Sequence, residues 1–261
     1  MTIAGAIIDL DGTVYRGESL LPGADRGIQA LRAAGIETLF VSNNPTEPPE
    51  TYAESLAGMG IDVDPKSILT SGVVTREYLE RQHAGESVYV VGEDGLREQL
   101  SGRRLVEDPI GADVVVASVD REFTYDRLAE AARAFVAGDP AFVGTDPDRL
   151  IPADDDRLLP GSGAIVGAIA ATVDRDPDPM LGKPSRETAR AVLDRIDADS
   201  AACLVIGDRL DTDVALGERI GARTALVRTG IHGEADIEDY EATPDHVIDS
   251  LGEVGTLLDG E

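Results

Sequence analysis

The chain has 261 residues, 42% apolar and only 4% aromatic, enough for a packed core of one large domain or two modest ones. With 50 acidic residues against 23 basic ones the formal net charge is -27, which excludes the basic footprint of a nucleic-acid binder. The acids are spread along the chain and so describe an acidic surface on a folded protein, not a disordered tail.

Molar salt shortens the screening length to about 3 Å, so this self-repulsion predicts adaptation to high salt. Cys203 is the only cysteine, which rules out an internal disulfide. It sits in the apolar run 201–206 and reads as an inert buried residue. His83, His232 and His246 lack metal-ligand spacing and read as surface or loop residues. No basic-then-apolar leader is visible, and the longest run of small apolar residues, around 164–171, is too short to span a bilayer. The expectation is a soluble cytoplasmic protein with no membrane partner.

In chain order, Ala6-Ile7-Ile8-Asp9-Leu10-Asp11-Gly12-Thr13 reads as a buried strand ending in two aspartates and a turn. Asp9 and Asp11 are two apart, so they share a face of the extended chain. Two converging carboxylates need a cation or a shared proton. A loop over 14–21 follows, in which Tyr15 and Arg16 read equally as flap residues or as loop packing. Pro22 and Gly23 announce a helix over 24–34. A strand over 37–41 ends in Ser42-Asn43-Asn44-Pro45-Thr46. A helix over 49–59, a strand-like piece at 67–69 and a helix over 73–82 continue the alternation. Such alternation is the signature of a parallel sheet covered by helices.

A second series opens at Gly85: a strand over 88–91, a short helix over 95–100, an apolar strand over 112–118, a helix over 124–137 and a strand over 140–143. Turn residues then interrupt at 144–148 and at Asp154-Asp155-Asp156, and again at 174–179, around a helix over 164–171. Gly182-Lys183-Pro184-Ser185 precedes a helix over 186–196. A strand over 202–206 ends in Gly207-Asp208, followed by Thr212-Asp213 and a helix over 214–220. A strand over 224–227 and a strand-helix pair near Val247 and 251–258 complete the sheet. The interruptions predict a domain inserted at about 83–180, with 1–82 and 181–261 forming one discontinuous core.

Four clusters fall at the mouth of the predicted parallel sheet, where ligands bind in such folds: Asp9 with Asp11, Ser42 with Asn43, Lys183, and Asp208 with Asp213. Asp9 and Asp208 supply hard oxygens that suit Mg²⁺. Ser42 and Asn43 supply donors for anion oxygens. Lys66 and Lys183 are the only lysines in a chain that otherwise uses Arg, which singles out Lys183. Together these groups could neutralise a phosphate, with Asp9 as nucleophile and Asp11 as proton donor and acceptor. Asp-x-Asp-Gly alone also occurs in calcium loops, but no Glu stands at the spacing such a loop requires. Any one cluster alone reads as a turn or a solvated charge; only the ordered set is specific.

That ordered set resembles the haloacid dehalogenase (HAD) superfamily, and within it the NagD-type phosphatases. Asp9-Leu10-Asp11-Gly12-Thr13 looks like motif I, Ser42 motif II, Lys183 motif III, and Gly207-Asp208 through Asp213 motif IV. Finer similarity runs through Asp-Gly-Thr-Val-Tyr-Arg-Gly, Ser-Asn-Asn-Pro-Thr, Pro-Gly-Ser-Gly-Ala and Gly-Lys-Pro-Ser. The resemblance implies an α/β fold, a Rossmann-like HAD core with an inserted α/β cap at 83–180. It implies Asp9 as nucleophile, Asp11 as general acid and base, and Mg²⁺ on Asp9, the Asp11 carbonyl and Asp208. It places Ser42, Asn43 and Lys183 on the substrate phosphate, with Thr13 and Asp213 supporting the set. The substrate class it implies is a small phosphorylated metabolite, and a cap-mediated homo-oligomer is an expectation from the resemblance alone. Asp146 stands where the resemblance leads one to expect Asn, which leaves the cap's substrate contacts open. A phosphotransferase on the same core, or a phospho-acceptor domain, remain the alternatives.

Overall fold

A computed structural model describes residues 3–152 and 157–258. The expected turn at Asp154-Asp155-Asp156 lies outside the described residues. The chain divides into two compact units, one of Met1–Ser42, Pro49–Leu69 and Thr188–Glu261, the other of Asn43–Pro48 and Thr70–Glu187. The second unit therefore takes in the helix Ser71–Gln82 and the segment through Lys183, both of which the sequence pattern assigned to the core.

The first unit is built on a six-stranded sheet. In spatial order its strands are His246–Ile248, Arg223–Val227, Cys203–Gly207, Gly5–Asp9, Glu37–Ser42 and Ile68–Thr70. The central pairings are parallel, with Ile8 opposite Ile206 and Asp9 opposite Val41. Helices cover both faces, so the strands are apolar on both sides and read as continuous runs. Ala6, Ile8, Phe40, Leu204 and Ile206 form one core layer. Ile28 and Leu31 of the helix Ala24–Ala33 and Tyr52 and Leu56 of the helix Pro49–Gly58 pack on that layer.

The register puts the last residues of Gly5–Asp9, Glu37–Ser42 and Cys203–Gly207 at one edge of the sheet. The loop expected at 14–21 contains a small antiparallel hairpin, Tyr15–Arg16 with Ser19–Leu20. Two-residue strands carry no periodicity to detect.

The second unit has its own four-stranded parallel sheet, ordered Arg104–Leu105, Ser87–Val91, Val114–Ala117, Ala141–Gly144. Tyr89, Val91, Val115, Ala117 and Phe142 pack with Ala131 and Ala134 of the helix Tyr125–Ala137 and with Ile165, Val166 and Ile169 of the helix Ser162–Val173. Phe135 meets Phe142 edge-on, with ring centroids 5.2 Å apart. The Thr124 hydroxyl accepts from the Arg127 N–H and starts the first of these helices. An antiparallel hairpin, Leu150–Pro152 with Leu158–Pro160, was not legible in the turn-rich sequence. Among the described residues no helix is long and apolar enough to cross a membrane.

Candidate active site

The first unit gathers three carboxylates. Asp9, Asp208 and Asp213 are buried, and each offers an oxygen within 4.8 Å of the others. A hydroxyl holds Asp9, and backbone N–H groups hold Asp208 and Asp213. Asp9 ends its strand, and its Oδ2 accepts from the Thr13 hydroxyl at 3.1 Å. Gly12 makes that approach feasible: its φ of +87° turns the chain back, where a side chain would be strained. The N–H groups of Thr13, Val14 and Tyr15 then converge on the Leu10 carbonyl.

Asp213 lies in a π turn, Leu210–Val214, and accepts from the Arg209 N–H at 3.1 Å. The family resemblance implied a supporting role for Asp213; the geometry places its carboxylate inside the acidic cluster. Asp11 contributes no carboxylate to this cluster. Its Oδ2 takes a long hydrogen bond, 3.5 Å, from the Tyr15 hydroxyl.

Asp208 is enclosed by a loop that sequence reasoning did not single out. The Ile231 N–H donates to Asp208 Oδ2 at 2.7 Å, and the His232 N–H donates to the Asp208 carbonyl at 3.0 Å. A Cβ on Gly230 would overlap the Asp208 carboxylate, and one on Gly12 would come within 2.5 Å of its Oδ2. The same loop is tied to motif I, since the Thr229 hydroxyl donates to the Gly12 carbonyl at 2.6 Å and Arg16 donates to the Thr229 carbonyl at 2.6 Å. Arg16 and buried Tyr15 are thus built into this end of the unit. Backbone donors leave no side-chain signature; the only sequence signal was a Thr-Gly pair beyond a strand end.

His232 lies in a loop, one of the two expected settings, but it is buried there and not at the surface. Its Nδ1 accepts from the Leu210 N–H at 2.9 Å and its Nε2 meets the Tyr240 hydroxyl at 3.0 Å. Burial pushes its pKa down, which agrees with a neutral ring accepting at Nδ1. Burial acts to raise Asp211, but hydrogen bonds and charge from Arg209 outweigh it and hold that carboxyl below its usual range.

Ser42 ends the strand beside Gly5–Asp9 and is buried. The second unit carries Asn43 and Lys183, also buried. The expectation for Asn43 was a phosphate contact. Its side chain is committed elsewhere: Oδ1 accepts from the Lys183 N–H at 2.6 Å and Nδ2 donates to the Lys183 carbonyl at 3.3 Å.

Asp146 is buried in the same unit, where its oxygens accept from the Thr145 hydroxyl at 3.0 Å and the Asp148 N–H at 3.2 Å. Burial and then the Asp148 charge push its pKa up to about 8.

Three buried carboxylates at this spacing fit a hard divalent cation, because their mutual repulsion needs a compensating charge and their oxygens are the preferred ligand type. Comparison with known proteins agrees with a hydrolase. A family model for haloacid dehalogenase-like hydrolases matches residues 6–105, and a second for HAD-hydrolase-like proteins matches residues 180–254. The sugar-phosphatase AraL of Bacillus subtilis is 34% identical over 98% of this chain and 93% of its own. An acid sugar phosphatase of Staphylococcus aureus is 35% identical over 95% of both chains. Among solved structures, a p-nitrophenyl phosphatase from Archaeoglobus fulgidus superposes with a TM-score of 0.91 at 34% identity, covering 99% of this chain and 100% of that one. NagD from E. coli K-12 superposes with a TM-score of 0.85 at 30% identity, covering 97% and 98%. The chain belongs to the haloacid dehalogenase-like hydrolases. Within them it is a NagD-type phosphatase.

Proposed function

We propose that this phosphatase hydrolyses small phosphomonoesters, sugar phosphates foremost, through an aspartyl-phosphate formed on Asp9. The observation that carries the reading is the buried triplet Asp9, Asp208 and Asp213 at the edge of a parallel sheet. Two relatives named as sugar phosphatases support the substrate class.

Mg²⁺ would be held by Asp9, Asp208 and the Asp11 carbonyl, with Asp213 beside them; it supplies positive charge that lets a phosphate dianion approach the carboxylates. The protein's own groups do the rest. An Asp9 oxygen bonds to phosphorus as the bond from phosphorus to the leaving oxygen breaks, and Asp11 gives that oxygen a proton. Asp11 then takes a proton from water as the water oxygen bonds to phosphorus, and the bond from phosphorus to Asp9 breaks. Ser42, the Asn43 backbone and Lys183 hold the phosphoryl oxygens in this scheme, and the inserted domain at 83–180 selects the leaving group.

Incubation with p-nitrophenyl phosphate and a set of sugar phosphates in ¹⁸O-water tests this, with and without Mg²⁺, at low and at molar salt. Mg²⁺-dependent release of phosphate carrying one ¹⁸O is expected. Phosphate transferred to an added sugar without label would favour the phosphotransferase, and no turnover in any salt would favour a phospho-acceptor domain.

A further inference from the structure

Asn43 and Lys183 are 140 positions apart, yet one side-chain amide engages both backbone polar groups of Lys183. The pattern is that of a β-bridge in which one strand is replaced by a side chain. The planar amide supplies an N–H donor and a carbonyl acceptor side by side, a pair that an ionised Asp, which only accepts, cannot complete. Asn43 is itself anchored, because the Ser71 hydroxyl donates to its carbonyl at 2.6 Å.

The preceding residue, Gly182, is gripped as well. A Cβ there would come within 2.7 Å of Asp146 Cβ and 2.9 Å of Asn43 Oδ1. The backbone that carries Lys183 is therefore seated between Asn43 and Asp146, and Lys183 is only 3% exposed. A compact ammonium on a flexible stem gains its precision from where its Cα is fixed.

We propose that Asn43 is a positioning residue, which fixes the Lys183 backbone through its side-chain amide and thereby sets where the Lys183 ammonium stands. The proposal rests on reading Lys183 as a ligand of the transferring phosphoryl group. Asn43 acts through Lys183, so its removal costs nothing once Lys183 is gone.

A double-mutant cycle on kcat/KM with p-nitrophenyl phosphate tests it, together with the inhibition constant for inorganic phosphate. Asn43→Ala should lower kcat/KM by about 10²-fold and weaken phosphate inhibition, and Lys183→Ala should cost about 10³-fold. The double variant should be no worse than Lys183→Ala alone. Losses that multiply would mean that Asn43 acts on the substrate itself, which overturns the proposal. So would a wild-type Asn43→Ala beside an inactive Lys183→Ala, or a lower melting temperature with unchanged phosphate inhibition and turnover. An active Lys183→Ala would instead remove the reading of Lys183 on which the proposal stands. If Asn43→Ala does not fold, Asn43→Asp carries the same cycle, since it keeps the shape but sets an oxygen against the Lys183 carbonyl.

Discussion

On the proposed mechanism, Asp9→Asn should lower turnover of p-nitrophenyl phosphate by more than about 10⁴-fold, because an amide oxygen cannot serve as the attacking nucleophile. The substitution keeps the shape of the side chain and leaves an oxygen for the Thr13 hydroxyl, now 3.1 Å from Asp9 Oδ2. The fold should therefore survive. It should even gain, since Asp9 shares a space of 4.8 Å with Asp208 and Asp213 and its charge opposes theirs when no cation is bound. Each kcal/mol of repulsion relieved would raise Tm by about 2–4 °C in chelator. Loss of rate with a raised Tm is the signature of a site that trades stability for chemistry. Residual activity near wild type would remove Asp9 from its assigned role.

Gly230→Ala should weaken divalent-cation binding by about 10–100-fold without replacing any carboxylate. The new methyl would occupy the space of the Asp208 carboxylate, so either Asp208 or the loop has to move. Moving the loop breaks the hydrogen bonds from Ile231 and His232 to Asp208, 2.7 and 3.0 Å long. Moving Asp208 takes its oxygen away from Asp9 and Asp213. Titration of the resting protein with Mn²⁺, followed by electron paramagnetic resonance, reads this directly, and the Mg²⁺ concentration for half-activation should rise in parallel. A lowered Tm with unchanged Mn²⁺ affinity would make the loop a packing element only.

The sequence made these two residues unequal. Asp9 announces itself, because an acidic residue at the end of Ala6-Ile7-Ile8 breaks an apolar run and has a second acid two positions on. The central strands and the long helices were legible for a related reason: burial on both faces forces apolar runs, and turn residues punctuate them. Gly230 was hidden, because its importance lies in an atom it lacks and in its neighbours' backbone donors. His232 was expected at the surface or in a loop; its loop burial went unread because spacing can exclude a metal ligand but says nothing about a ring held by Leu210 and Tyr240. Asn43 was placed at the right strand end, and its commitment to Lys183 is a contact between distant segments that no local pattern encodes.

The buried Asp146 carries a consequence for proton linkage. Its pKa stands at about 8 in the folded chain against 3.8 for a free side chain. Between those values the folded protein holds a proton that the unfolded chain releases, so folding takes one up from solvent. The stability tied to the neutral carboxyl is fully present below pH 3.8 and is lost as pH rises through about 8. Asp146→Asn, neutral at every pH, should leave Tm nearly unchanged at pH 4 and raise it above pH 8; a difference that does not grow with pH would mean that Asp146 ionises as readily folded as unfolded. In a chain whose formal charge is -27, a carboxyl with this pKa adds little to the self-repulsion at neutrality.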